Sequence, residues 1–299
     1  MKEQFKHKRF HETTLEIINQ ANRIITEMES QGFILTVRQL YYQFVARDLI
    51  PNSQKSYDKI LITINDARLA GLIDWCMIED RTRNLQKNQH WNEPSEIIDA
   101  CISQYAVDKW ASQDYRPEVW IEKEALAGVI SSICDDLDVS WFCCRGYPSQ
   151  SEMYNSGKRL KRCIENQNQT PIILHFGDHD PSGIDMTRDI EARLNLFSGY
   201  EIPVIRIALN IDQVRTYNLP ANPAKITDTR CNAYLETYGN ESWELDALEP
   251  RVIKDLIQAS VLQYRDDTAW SEALRKEKRG RDDLSKFQAM ITADDTDAE

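Results

Sequence analysis

No stretch of the 299-residue chain approaches the run of about 18 apolar residues that a membrane span needs. The opening MKEQFKHKRFHETT also lacks the apolar core of a signal peptide. A membrane protein is thereby set aside, and a cytoplasmic location is expected. The seven cysteines, at positions 76, 101, 134, 143, 144, 163 and 231, form no CxxC pair and have no histidine at finger spacing. That pattern argues against a zinc finger and for reduced, mostly buried thiols. Internal repeats are lacking, and low complexity is confined to the acidic tail ADDTDAE. A basic balance is lacking as well. The net charge is -12, whereas phosphate binding draws on Lys and Arg.

What is present is a chain with 41% hydrophobic and 9% aromatic residues, enough to fill the core of one large domain or two ordinary ones. Net charge is not charge distribution. Bases gather in KHKR (6–9), RTR (81–83), KRLKR (158–162) and RKEKRGR (275–281), which leaves room for a basic groove. Arg81, Arg83, Lys158, Arg159, Lys161 and Arg162 are the candidate contacts to a DNA backbone.

Residues 12–30 place Leu15, Ile18, Ala21, Ile25 and Met28 on one helical stripe, with Gly32 as a stop. Thr36-Val37-Arg38-Gln39 fits a capping box and opens a second helix, TVRQLYYQFVA. A third helical run covers 56–73, and WCMIED (75–80) has the bulky look of a strand. Three helices and a strand predict a winged helix-turn-helix of the CAP-like kind. From Val119 onward, short apolar runs alternate with helical ones, which predicts an α/β fold with a mostly parallel, covered sheet. The change falls near ASQDYRP (111–117). The expected division is therefore a DNA-binding head over 1–112, an α/β domain with a C-terminal extension over 113–290, and a disordered acidic tail over 291–299.

In open α/β sheets the ligand site lies beyond the C-terminal strand ends. Glu122 closes the strand VWI, and Asp178 and Asp180 close IILHFG, where Pro181 and Gly183 force a turn. Two unit charges about 4 Å apart repel by roughly 4 kcal/mol at an effective dielectric near 20, so three converging carboxylates need a cation or a shared proton. All-oxygen ligation selects Mg²⁺ or Mn²⁺. The plain alternative is that Asp178 and Asp180 cap the next helix. His175 and His179 lack a second histidine at ligand spacing and read as packing or supporting residues.

On the second helix, at about 100° per residue, Val37, Leu40, Tyr41, Phe44 and Val45 share one direction, while Tyr42 points roughly 130° away. Tyr41 is thus assigned to the core and Tyr42 to the outside. Arg38 lies one turn before Tyr42, so a guanidinium sits beside an outward phenol, a pair suited to a phosphate. A phenol with pKa near 10 is ionised about one part in a thousand at pH 7, a cost of roughly 4 kcal/mol that an arginine and a metal-bound phosphate could offset.

TVRQLYY (36–42), IEKEAL (121–126) and GDHDPSG (177–183) together resemble the A subunit of topoisomerase VI and the related meiotic double-strand-break transesterase. The similarity spans most of the chain. It implies a winged-helix domain followed by a Toprim domain, Tyr42 as nucleophile with Arg38 as its partner, and Glu122, Asp178 and Asp180 as ligands of Mg²⁺ or Mn²⁺. RGYPSQ (145–150) is similar to the turn between the two acidic motifs, with Ser149 where an aspartate is common. The chain is shorter than a typical A subunit and carries no nucleotide-binding ATPase region. With SWELDAL (242–248), it looks most like the stand-alone relatives of phages, plasmids and bacteria called Topo mini-A. Trp243, Glu244 and Asp246 of that motif receive no derived role, helix capping being the plain reading. The implied activity is cleavage of duplex DNA through a 5′-phosphotyrosyl bond. The implied partners are double-stranded DNA, a second copy in a homodimer and a separate ATPase subunit, and the implied location is the nucleoid or an infected host cell. A hydrolytic Toprim nuclease and a non-cleaving DNA-binding protein remain open beside it.

Overall fold

In the computed structural model, which describes residues 2–78, 88–224 and 231–296, the chain opens with three helices. They are α1 (Glu12–Ser30), α2 (Val37–Ala46) and α3 (Gln54–Leu69). α1 buries Ile17, Ile18, Ala21, Ile24, Ile25 and Met28, the apolar stripe of an amphipathic helix. Leu15, expected on that stripe, lies near the first turn and is exposed. The capping box forms with both of its bonds: Gln39 N donates to Thr36 Oγ1 at 3.2 Å and Thr36 N to Gln39 Oε1 at 2.9 Å. α3 ends earlier than expected. The strand expected over 75–80 is not formed among its described residues: Trp75–Met77 make a short 3-10 turn, and Ile78 makes a single parallel bridge to Leu35. The cause is local, since the Asp74 carboxylate accepts from Cys76 N at 2.9 Å and holds the backbone in a turn. The core of these helices includes one distant residue, Ala247.

α4 (Pro94–Gln104) follows and packs on the C-terminal helix. Then strand and helix alternate as expected: β1 (Tyr115–Ile121), α5 (Ala127–Asp136), β2 (Ser140–Cys143), α6 (Gln150–Gln167), β3 (Thr170–Phe176), α7 (Pro181–Ser198) and β4 (Val204–Ala208). The four strands are parallel, in the order β2-β1-β3-β4. Successive side chains of β1 and β3 enter opposite cores, which is why both strands read as unbroken apolar runs. Val119, Ile121, Leu174 and Phe176 pack with α5 and the later helices, while Trp120 and Ile173 pack with Met153 and Leu160 of α6 and Met186 and Ile190 of α7.

The chain continues through α8 (Ile211–Thr216), β5 (Asn222–Pro223), α9 (Cys231–Tyr238), β6 (Glu241–Ser242), α10 (Pro250–Leu262) and α11 (Asp267–Thr296). α11 carries residues 291–296 as helix, against the expectation of disorder, because an established helix adds one hydrogen bond for each residue it fixes. Residues 297–299 lie outside the described residues. No helix among the described residues is long and apolar enough to cross a membrane. Of the cysteines with described side chains, Cys134, Cys144 and Cys163 are buried, Cys143 is half-buried, and Cys76 and Cys101 are exposed.

Candidate active site

β1 and β3 are neighbours at the sheet's switch point, so their C-terminal ends bring the two acidic motifs together. Glu122 faces Asp178, whose backbone N donates to Glu122 Oε2 at 2.9 Å. Asp178 is buried and commits both oxygens: Oδ1 accepts from Leu245 N at 2.8 Å, and Oδ2 pairs with Lys123 Nζ at 3.0 Å. Asp180 caps α7, its Oδ1 accepting from Gly183 N at 2.6 Å. The capping alternative thus holds for Asp180, at the expense of one oxygen, and does not hold for Asp178. Among the described residues no group of three His, Cys, Asp or Glu side chains is disposed to hold a metal ion. The physical reason is visible at Asp178, whose oxygens are already given to an amide and an ammonium.

One side chain beneath the rim, Arg206, was not legible as a site residue. Arg206 of β4 is largely buried and donates to the carbonyls of Gly177, Asp178, Gly183 and Leu209 at 2.6–3.3 Å, fixing the loop that carries the aspartates. Burial lowers its pKa to about 10, with Glu122 and Asp178 pulling the other way. An arginine inside the apolar run IPVIRIAL was the available signal, because a charge rarely enters such a strand without a partner. His175 is buried and its Nδ1 meets Thr187 Oγ1 at 2.9 Å. Burial holds its pKa down to about 3 and that of His179 to about 4, so both rings are neutral at pH 7. His179 stands among Tyr234, Tyr238 and Trp243, and its backbone pairs with Trp243 in both directions at 2.8 and 2.9 Å. Both histidines therefore support and pack, as expected.

The Trp243 pairing delivers the segment 244–247 to α2, and here the structure corrects two expectations. Tyr42 is not on the outside: it is 4% exposed, because α2 is covered on a second face by residues 245–247. A one-faced helical wheel has no means of anticipating that cover. Glu244 and Asp246 are not helix caps. Arg38 Nε donates to Asp246 Oδ2 at 2.9 Å and Arg38 Nη2 to Glu244 Oε2. Lys123 Nζ reaches Glu244 Oε2 at 2.8 Å and Asp246 Oδ1 at 3.0 Å. The Arg38 guanidinium lies 5.8 Å from the centre of the Tyr42 ring, beside it as the spacing predicted, and Glu244 lines the same cleft as the phenol. Tyr41 is a core residue, donating to Asn52 Oδ1 at 2.8 Å.

The electrostatics follow from this network. Burial, then Asp246 and Glu244, push the Tyr42 phenol well above its ordinary value, with Arg38 opposing. Burial works against charge on Lys123 and Arg38, yet the carboxylates around them hold both firmly protonated. Burial would raise Glu244, but Lys123 and Arg38 bring it down to about 2. Burial raises Asp178 to about 7 and also raises Glu122, in spite of Lys123. Counted as fully ionised, five carboxylates (Glu122, Asp178, Asp180, Glu244, Asp246) face three cations (Arg38, Lys123, Arg206), a formal excess of two negative charges that in the absence of a cation favours a proton on Asp178. That excess equals the charge of one divalent cation, and the donors are hard oxygens, so the residues fit Mg²⁺ or Mn²⁺ in charge and chemistry. Glu122 and Asp180 each commit one oxygen to a protein donor, and Asp178 is the ligand that would have to exchange Lys123 for the ion.

Arg38 lines two adjoining clefts. One, of about 260 Å³, includes Tyr42, Tyr57, Asn222 and Glu244. The other, of about 400 Å³, includes Glu122, Lys123, Arg145 and Asp246. The basic residues expected to contact DNA stand elsewhere. Lys158, Arg159 and Arg162 of α6 line a separate cleft with Tyr154, Arg159 being paired with the buried Glu118. Lys161 pairs with Glu165 at 3.4 Å. Arg81 and Arg83 lie outside the described residues. Compared with protein-family models, with curated proteins and with solved structures, the chain matches none of the three.

Proposed function

We propose that the chain acts on duplex DNA in the manner of a topoisomerase VI A subunit, with Tyr42 as the nucleophile of a magnesium-dependent transesterification. In this reading the N-terminal helices are a winged-helix head, the parallel sheet is a Toprim domain, and the protein works in the cytoplasm as a homodimer with a separate ATPase subunit. One observation carries it: Arg38 of α2, whose guanidinium stands 5.8 Å from the Tyr42 ring, is joined to the carboxylate rim by a continuous set of ion pairs through Lys123, Glu244 and Asp246. A tyrosine, an arginine, a lysine and hard-oxygen acids at one place are the parts that phosphoryl transfer uses.

Tyr42 Oη forms the bond to phosphorus while the bond from phosphorus to the 3′ oxygen breaks. The phenol proton is given up, and the departing 3′ oxygen gains one. Arg38 binds a non-bridging phosphate oxygen and balances the charge that builds there. Glu122, Asp178 and Asp180 would hold Mg²⁺ or Mn²⁺, which when bound neutralises phosphate charge. Arg206 keeps the aspartate loop in place. If the tyrosine serves the acids of a partner copy, α2 has to leave Glu244 of its own chain. The burial of Tyr42 and its raised pKa favour a second reading, hydrolysis by an activated water with Tyr42 as a DNA contact.

The test is incubation with supercoiled DNA and Mg²⁺ or Mn²⁺, followed by denaturation. DNA attached to protein, and lost in both Tyr42→Phe and Glu122→Ala, is the expected result. Cutting without attachment selects hydrolysis, and intact DNA that is nonetheless bound selects a binding protein.

A further inference from the structure

Glu244 holds the two cations that a DNA phosphate has to touch and lies in one cleft with Tyr42. Its Oε2 lies between Arg38 Nη2 and Lys123 Nζ. A carboxylate and a phosphodiester share one negative charge and a pair of equivalent oxygens, so the two compete for such a place. Asp246 touches the same two cations, but its side chain is fully buried, with 0% exposure, while that of Glu244 is 27% exposed and that of Arg38 43%. Asp246 is therefore fixed, and Glu244 is the anion that can swing out. Glu244 lines the cleft that holds Arg38 and Tyr42, and Arg38 joins it to the neighbouring cleft of Lys123 and Arg145.

Resting on the reading above, we infer that Arg38 and Lys123 form a phosphodiester-binding pair, and that Glu244 is an internal stand-in for the phosphate, which DNA displaces. The closed state then protects against idle chemistry. While Glu244 is in place, the tyrosine stays protonated and no phosphate reaches the arginine. When a backbone phosphate takes its place, the freed carboxylate swings to solvent and Arg38 is turned to the substrate. Lys123 thereby gains a role as phosphate ligand beside Glu122.

The experiment compares wild type, Glu244→Gln, Glu249→Gln and Glu244→Gln/Lys123→Gln in binding to a 20-base-pair duplex and to inorganic phosphate. Binding is followed by fluorescence anisotropy and by calorimetry respectively, in EDTA so that no cleavage intervenes. Gln is isosteric with Glu, and a circular-dichroism melt checks folding. The exposed Glu249 removes the same unit of charge nearby and controls for general repulsion. Glu244→Gln is expected to bind both ligands about tenfold more tightly than wild type, an effect of about 1.4 kcal/mol. Glu249→Gln should change binding less than twofold, and loss of Lys123 should cancel the gain. Duplex binding that is equal in wild type and Glu244→Gln, or a gain that survives loss of Lys123, overturns the stand-in and leaves DNA binding intact. Tighter phosphate with no duplex binding in any variant retains the anion pair and overturns both the action on DNA and its displacement of Glu244. If Glu244→Gln fails to fold, Glu244→Asp, one methylene shorter, is read by the same criterion.

Discussion

Gly183 is the position where the least addition does the most harm. It sits in the first turn of α7, and a Cβ there would lie 2.2 Å from Asp178 O, 3.0 Å from Asp178 C and 3.2 Å from Asp178 N. Carbon and carbonyl oxygen come no closer than about 3.3 Å in ordinary contacts, so Gly183→Ala has to separate helix and loop by about 1 Å. Three bonds depend on that distance: Gly183 N to Asp180 Oδ1 at 2.6 Å, Arg206 Nη1 to Gly183 O at 2.8 Å, and Arg206 Nη2 to Asp178 O at 2.6 Å. Overpacking costs about 1–3 kcal/mol, and loss of the cap adds about 1 kcal/mol. The better helix propensity of alanine returns up to about 1 kcal/mol, less than the two losses together. The net loss of about 1–3 kcal/mol corresponds to a thermal midpoint lower by about 2–5 °C for a chain of this size, read by differential scanning calorimetry. A variant melting at or above the wild-type temperature would refute the close approach of α7 to Asp178.

Arg206→Met fills the same space but strands the carbonyls of Gly177, Asp178, Gly183 and Leu209 in a buried place, so urea denaturation should show a loss of at least about 3 kcal/mol. A loss below about 1 kcal/mol would mean the loop holds without it. Asp178 gives a pH dependence. Its folded value of about 7 lies above the unfolded 3.8, so between these pH values the folded protein keeps a proton that the unfolded chain has released. The contribution of this group to stability therefore falls as pH rises through that window, by up to about 1.4 kcal/mol per unit. Asp178→Asn removes the proton exchange. Its stability relative to wild type should rise from pH 4.5 to pH 7, and a constant difference in urea midpoint across that range would count against the buried proton.

Much of the sheet was legible because parallel strands advertise themselves: VWI and IILHF are unbroken apolar runs, and the helices between them carry periodic faces. The positions of Glu122, Asp178 and Asp180 at neighbouring strand ends followed from topology alone. Thr36 and Gln39 declared their capping box through spacing. The failures share a cause in contacts between parts of the chain remote in sequence. Tyr42 looked outward because nothing in TVRQLYYQFVA reveals that residues 245–247 will lie on it. Glu244 and Asp246 passed for caps because their cations stand at 38 and 123. Over the described part of WCMIED, residues 75–78, the expected strand gives way to a turn held by Asp74, whose bond to Cys76 N is invisible to a β-propensity reading.

The stretch from Ser242 to Ala247 works as a bolt between the N-terminal helices and the parallel sheet. Trp243 and Leu245 engage the aspartate loop through backbone bonds, Glu244 and Asp246 hold α2, and Ala247 completes the packing of the first helices. Neither part is whole without it. A fragment ending near residue 112 would carry Arg38 and Tyr42 with their cover gone and an apolar gap at the place of Ala247, whereas two fragments cut in the polar stretch before β1 would still be pinned together by this short piece.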